Sequence, residues 1–243
     1  MISFLRSSIP TRGAILAGVT LLLALATPVR ASVLVLYPFN NNADGNNGFK
    51  AASFNSGALT SVTLTAGSGL GTFAVGTDSL LGPNYSSIQF LKVGPGSVVS
   101  TPTASTAINN NWYFDVVLTP RTTMSIDSIE VDWTRNSSSG VRGWFVRSSS
   151  DSYVTNLFSS ETPAGTATGI QHATINLSGF SGLNTATTFR FYVYSNATLR
   201  FVDFQNLQFN GSSPASGVPE SSTSTLMLVG LACGGCALWR RRR

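Results

Sequence analysis

Apolar and polar residues alternate with period two along several separate stretches of this chain, and almost nothing between residues 32 and 211 shows helical spacing. Ile129, Val131 and Trp133 alternate with Ser128, Glu130 and Asp132, while Phe189, Phe191 and Val193 alternate with Arg190, Tyr192 and Tyr194. Successive side chains of a strand point to opposite faces, so these patterns describe half-buried antiparallel strands. Trp112, Phe114, Val116 and Leu118 form a third run, and Leu207 with Phe209 a fourth. The fourth is offset in parity from Val202 and Phe204, which predicts a bulge near Gln205 or Asn206. Turn-rich stretches separate the runs at Asn40 to Gly48, Val93 to Gly96 and Arg135 to Gly140. Many short strands over about 180 residues predict an all-β fold, a single antiparallel two-sheet β-sandwich of jelly-roll-like type. No linker or internal repeat divides it.

The two ends read differently. Met1 to Ala31 carry Arg6 and Arg12, an apolar run from Ala14 to Ala26, and small residues before Ser32. That is the pattern of a secretory signal peptide cleaved before Ser32. Its roughly 13 apolar residues fall short of the ~20 that span a bilayer, which speaks against an N-terminal anchor. At the other end, the apolar stretch Leu226 to Trp239 makes a helix of about 21 Å, and adding Ser221 to Thr225 brings it to about 28 Å. This predicts a marginal transmembrane helix, with Trp239 at the interface and Arg240, Arg241, Arg242 and Arg243 as a topology signal holding the C-terminus in the cytoplasm. The expected organisation is therefore 1–31 signal peptide, 32–211 β-sandwich, 212–217 flexible spacer and 218–243 membrane-associated tail.

Charge follows the same division. The whole chain has a formal net charge of +5, but the stretch from Ser32 to Gly217 holds eight Lys and Arg against nine Asp and Glu, a net charge of −1. The basic excess belongs to the ends, so the domain carries no signature of nucleic-acid binding. Cys233 and Cys236 form a C-x-x-C inside the apolar tail, where they read as small polarizable residues of a membrane helix or as a lipid-attachment site rather than a redox pair. No cysteine lies between residues 32 and 211, so this domain folds without disulfides.

Val218-Pro219-Glu220, the Ser/Thr stretch after it, the Gly- and Leu-rich span and the terminal arginines together resemble the PEP-CTERM protein-sorting signal of exported proteins of Gram-negative bacteria. The resemblance covers residues 218–243, with Ser221 standing where a second proline is commonest. It implies Val218, Pro219 and Glu220 as the sorting motif and an exosortase as processing partner, a membrane-embedded enzyme with its own catalytic cysteine that removes the tail. It further implies transient residence in the inner membrane, then delivery to the cell surface or extracellular matrix, around exopolysaccharide or biofilm. A plain membrane anchor is the alternative. The stretch TTFRFYVYSNATLRFVDFQNLQFNG, Thr187 to Gly211, also resembles the closing strand pair of exported sandwich domains of this sorting class; by pattern alone it is a hairpin or adjacent strand pair.

Catalytic sets are incomplete. His172 is the lone histidine, so no multi-histidine metal site exists, and no G-x-S-x-G accompanies it. Glu130 and Asp132 share one strand face about 7 Å apart, a separation of the order used in two-carboxylate sugar hydrolysis. This partly resembles the E-x-D-x-E or E-x-D-x-x-E strand of a jelly-roll glycosidase family, which would make Glu130 the nucleophile. The third carboxylate is missing, with Thr134 and Arg135 at its two places. The loop Asn40 to Asn47 has one carboxylate, Asp44, and reads as a turn rather than a calcium site. Asn84, Asn136, Asn176, Asn196 and Asn210 begin N-x-S/T triplets and read as surface polar residues. The expectation is a structural or carbohydrate-binding module with no catalytic residue, metal or cofactor. Tyr192 and Tyr194 are its candidate sugar-stacking residues, or else pack between the sheets. A degenerate jelly-roll glycoside hydrolase and a protein-binding adhesin are the alternatives.

Overall fold

The computed structural model describes residues 31–39, 53–78, 81, 83–85, 87–136, 141–162 and 169–213. Residues 1–30 of the expected signal peptide, the Asn40 to Asn47 loop, most of the spacer and the whole tail, including Val218, Pro219, Glu220, both cysteines and Arg240 to Arg243, lie outside the described residues. Among the described residues no helix is long and apolar enough to cross a membrane.

Among the described residues, twelve strands and one α-helix are present, and the strands form two antiparallel sheets. In chain order they are β1 (Ser32–Tyr37), β2 (Ser53–Phe54), β3 (Leu59–Ala66), β4 (Leu70–Thr77), β5 (Gln89–Pro95), β6 (Tyr113–Pro120), β7 (Ser125–Arg135), β8 (Arg142–Ser148), β9 (Phe158–Thr162), β10 (Gln171–Asn176), β11 (Thr187–Ser195) and β12 (Val202–Ser212), with one helix, α1 (Ala104–Asn109), between β5 and β6. The seven-stranded sheet runs β10-β7-β12-β1-β2, with β5 pairing the first part of β12 and β4 lying beyond β5; the five-stranded sheet runs β3-β6-β11-β8-β9. The first and last strands are neighbours, Ser32 standing opposite Gly211 across 179 residues of chain.

The alternation read in the sequence makes the core. Ile129, Val131, Trp133, Phe204, Leu207 and Phe209 project from one sheet and meet Phe114, Val116, Phe189, Phe191 and Trp144 from the other, all at most 4% exposed. Rings cross the gap between sheets at centroid distances of 5.5 Å (Phe114 to Phe204), 5.3 Å (Phe189 to Phe209) and 5.8 Å (Trp133 to Trp144). Each buried aromatic contributes its transfer free energy, and the offset or edge-on ring pairs add about 0.5–1.5 kcal/mol each. This is a β-sandwich with one main core.

The expected bulge is present. Gln205 stands opposite Asp132 and Gln208 opposite Glu130, so β12 advances three residues while β7 advances two. Asn206 absorbs the extra residue at φ 49°, a left-handed conformation that asparagine tolerates better than most side chains. The slip returns Leu207 and Phe209 to the core face already used by Val202 and Phe204.

Four expectations need correction. Thr187 to Gly211 is not a hairpin: β11 lies in the five-stranded sheet and β12 in the seven-stranded one, and residues 196–201 cross between them. Buried Asn136 fixes that crossing by donating to the Leu199 carbonyl (3.3 Å) and accepting from the Phe201 N–H (3.1 Å), so Asn136 is not a surface residue. Val93 to Gly96 is largely strand, because β5 runs through Pro95, which tolerates its missing N–H at the strand's last position. Trp112 precedes β6 instead of joining its inward face, and is buried with Ala107, Phe145, Tyr192 and Tyr194 in a second cluster. These residues lie on the outer side of the five-stranded sheet, against which α1 packs. That helix, absent from the strand reading, starts at a capping box: Thr103 accepts from the Thr106 N–H, and Thr106 answers at the Thr103 N–H.

Candidate functional site

On the outer face of the seven-stranded sheet, three neighbouring strands place polar side chains side by side. β10 alternates His172, Thr174 and Asn176 with the core residues Ala173 and Ile175, because its inner face alone is covered. The β10–β7 register puts His172 opposite Asp132, Thr174 opposite Glu130 and Asn176 opposite Ser128. The β7–β12 register then continues these rows to Gln205, Gln208 and Asn210, with Asn206 of the bulge beside the first. The result is a grid spaced about 7 Å along the strands and about 5 Å between them. None of these named residues is Phe, Tyr or Trp.

Hydrogen bonds tie the grid together. His172 Nδ1 donates to Asp132 Oδ1 at 2.8 Å, and Asn206 Nδ2 donates to Asp132 Oδ2 at 2.8 Å. Asn210 Nδ2 donates to Glu130 Oε1 at 3.0 Å and to Ser128 Oγ at 3.2 Å, while Gln208 Nε2 donates to Asn210 Oδ1 at 2.7 Å. The carboxylate fixes the histidine tautomer: with Nδ1 as donor, neutral His172 offers Nε2 as an acceptor, and Thr174 Oγ1 lies 3.3 Å from it. The bulge does part of this, since turning Asn206 left-handed sets its amide beside Asp132.

The order Asp132, His172, Thr174 has the polarity of a nucleophilic triad. Its surroundings do not suit acyl transfer, however. Thr174 faces Glu130 in register, so attack by its hydroxyl would develop negative charge beside a carboxylate, the reverse of an oxyanion hole. The two-carboxylate reading gains no partner either. Thr134 is buried and its hydroxyl donates to the Gly169 carbonyl at 3.1 Å, and Arg135, 1% exposed, continues the inward parity of Trp133. Among the described residues no group of three or more His, Cys, Asp or Glu is arranged to hold a metal.

Tyr192 and Tyr194 are each 4% exposed, so neither offers a ring face to a sugar, and they pack outside the five-stranded sheet instead of between the sheets. Phe145 stacks on Tyr192 at 4.7 Å. Burial, then the nearby Glu161 carboxylate, pushes the Tyr194 hydroxyl up to about 12. On the same face Arg190 forms a bidentate pair with Asp115 (2.8 and 2.9 Å), and its guanidinium lies 3.7 Å from the Tyr113 ring centre and 4.2 Å from that of Tyr153. Those aromatic faces are already occupied by the cation. Of the grid, sequence pattern exposes Glu130, Asp132 and His172; Thr174, Asn206, Gln208 and Asn210 become visible once the strand registers are known.

No protein-family model matches the chain, and no curated protein matches it by sequence. Solved structures give weak likenesses. A carbohydrate-binding module, TmCBM61 in complex with β-1,4-galactotriose, is 8% identical over 63% of this chain and 90% of its own, with a TM-score of 0.34. An arabinose-bound α-L-arabinofuranosidase, MgGH51, is 14% identical over 78% of this chain and 31% of its own, also at 0.34. The Stig cyclase Fisc from Fischerella sp. TAU is 11% identical over 77% of this chain and 91% of its own, at 0.29. At these TM-scores the likenesses carry no argument about this chain's site.

Proposed function

We propose that this protein is an exported, non-catalytic binding module that holds an uncharged polysaccharide on the outer face of its seven-stranded sheet. The observation that supports this reading is the hydrogen-bonded grid of His172, Asp132, Asn206, Glu130, Gln208 and Asn210. Side chains already locked by one another lose little freedom on binding, and their remaining lone pairs and N–H groups suit ligands that donate and accept at each hydroxyl. Two carboxylates against one histidine make the face acceptor-rich, so it favours hydroxyl donors and repels uronate or sulfate polymers.

Export and sorting complete the proposal: the N-terminal pattern supports cleavage before Ser32, and the tail motif at Val218, Pro219 and Glu220 supports release by an exosortase to the cell surface or matrix. A glycan screen with the full chain tests the binding reading. Neutral polysaccharides bind the wild type, Asp132→Asn with Glu130→Gln weakens them by about tenfold or more, and acidic polymers stay unbound; a preference for acidic polymers sinks it. Release of reducing sugar or of an acyl group by the wild type, lost in Glu130→Gln or Thr174→Val, would overturn the non-catalytic part.

A further inference from the structure

Among the described residues five strands lie at the margins of the two sheets, and four of them are guarded. β2 is two residues long, β9 carries Glu161, β10 carries His172 tied to Asp132, and β4 is crossed by Lys92 of β5, whose Nζ donates to the Thr77 carbonyl at 3.2 Å. Shortness, charge and an overlying lysine are the usual means by which a sheet margin refuses a further strand. β3 has none of them. No Asp, Glu, Lys, Arg or Pro occurs from Ala51 to Thr77, and the one charged residue in register with β3, Asp115 opposite Thr65, is neutralised by its bidentate pair with Arg190.

Backbone alternation says which groups of β3 face outward. The Gly67 N–H donates to the Tyr113 carbonyl at 2.7 Å, so along this antiparallel ladder Ser61, Thr63 and Thr65 bond to β6, while Val62 and Leu64 aim N–H and C=O away from it. The one register shift of β3, between Leu59 and Ser61, leaves this stretch regular. Ser61, Thr63 and Thr65 are exposed on the outer face, and Val62 and Leu64 pack half-buried against the main core. Outward from Thr63 the order is the same in both directions, apolar and then hydroxyl.

We propose that two copies of this chain associate by pairing β3 with β3, antiparallel about a twofold axis at Thr63, which joins two five-stranded sheets into one. Val62 of each copy then stands opposite Leu64 of the other, each such pair exchanges both of its outward backbone hydrogen bonds, and the apolar core continues across the junction. On the outer face Thr63 meets Thr63, and Ser61 meets Thr65. A slip of one residue would set apolar positions against hydroxyl positions. This match of the strand to itself, with no charge to repel, selects a second copy as the occupant over an unrelated strand.

Sedimentation of the full chain in mild detergent, with the detergent mass subtracted, is expected to show a protein of twice the chain mass toward the upper end of a range from about 1 μM to about 1 mM. Thr63→Lys sets like charges face to face on the twofold axis and raises the dissociation constant by about tenfold or more, with the circular dichroism of the strands unchanged. Ser159→Lys, exposed on β9 at the other margin of the same sheet, leaves the constant as it is. A second measurement serves where the lysine variant fails to fold. With Cys233 and Cys236 replaced by serine, Thr63→Cys brings two Cα atoms to about 4.5 Å, within disulfide reach, and mild oxidation links the copies. Thr65→Cys, opposite Ser61 of the other copy, does not link. A monomer throughout the range, a dimer insensitive to Thr63→Lys or weakened equally by Ser159→Lys, or linking by Thr65→Cys as readily as by Thr63→Cys would each overturn the β3 pairing.

Discussion

His172 and Asp132, 40 residues apart in sequence, meet at 2.8 Å across the β10–β7 ladder with side chains 57% and 26% exposed. An ion pair or hydrogen bond so open to water contributes about 0.2–1 kcal/mol. His172→Ala is therefore expected to lower unfolding free energy by less than about 1 kcal/mol, while weakening neutral-glycan binding because Asp132 loses its positioning partner. Urea titration and calorimetric binding on the same preparation separate the two effects. A large stability loss without a binding change would make the pair purely structural.

Asn206 offers a sharper test of the bulge, since its φ of 49° suits glycine and asparagine and strains β-branched residues. Asn206→Gly should stay within about 1 kcal/mol of wild type, whereas Asn206→Val should lose about 1–3 kcal/mol. Equal losses in the two variants would mean that the hydrogen bond to Asp132, not the backbone, governs the site.

Gly211 occupies the second register shift of β12, between Asn210 and Gly211. A Cβ there would overlap the Ser125 carbonyl oxygen and crowd the Leu34 side chain. Because backbone cannot yield as a side-chain tip can, Gly211→Ala should cost about 1–3 kcal/mol, read as a lower thermal midpoint.

In the core, Phe204 touches three aromatic rings: Phe114 at 5.5 Å, Trp144 at 5.2 Å and Phe191 at 6.4 Å. Phe204→Ala should remove about 3–5 kcal/mol, enough to lower the urea midpoint markedly in a protein of ordinary stability. A loss under about 1 kcal/mol would mean that the two sheets do not share this core.

The tail prediction rests on sequence. In the native host the surface form is expected to begin at or near Ser32 and end close to Val218-Pro219-Glu220, without Cys233, Cys236 or Arg240 to Arg243. Replacing Pro219 and Glu220 with alanine should leave export intact and hold the protein in the inner membrane. Intact-mass analysis reads the outcome, and arginines retained on the surface form would make the tail a plain anchor.

Strand content and inward faces were legible because one-sided burial writes itself as period-two alternation, as in Ile129-x-Val131-x-Trp133. The bulge was legible for the same reason, since an extra residue leaves a parity error. Pairing was not: Phe189 and Phe204 both read as core residues, and nothing local says that they reach it from opposite sheets. Tyr192 and Tyr194 failed as surface candidates because alternation marks the side away from the main core without saying whether α1 and Trp112 cover it. Glu130, Asp132 and His172 were visible as residue types, while their common grid depends on β10 and β12 flanking β7, a long-range fact.

β1 and β12 set a clock on folding. A chain emerging at about 5–20 residues per second delivers Ser32 on the order of ten seconds or more before Gly211, its partner 179 residues later, becomes available. During that interval Leu34 and Val35, each 0% exposed in the finished protein, have no permanent neighbour along the β12 side. The β1–β12 ladder therefore forms only after the final strand is available, and until then the β12 side of β1 is an open edge.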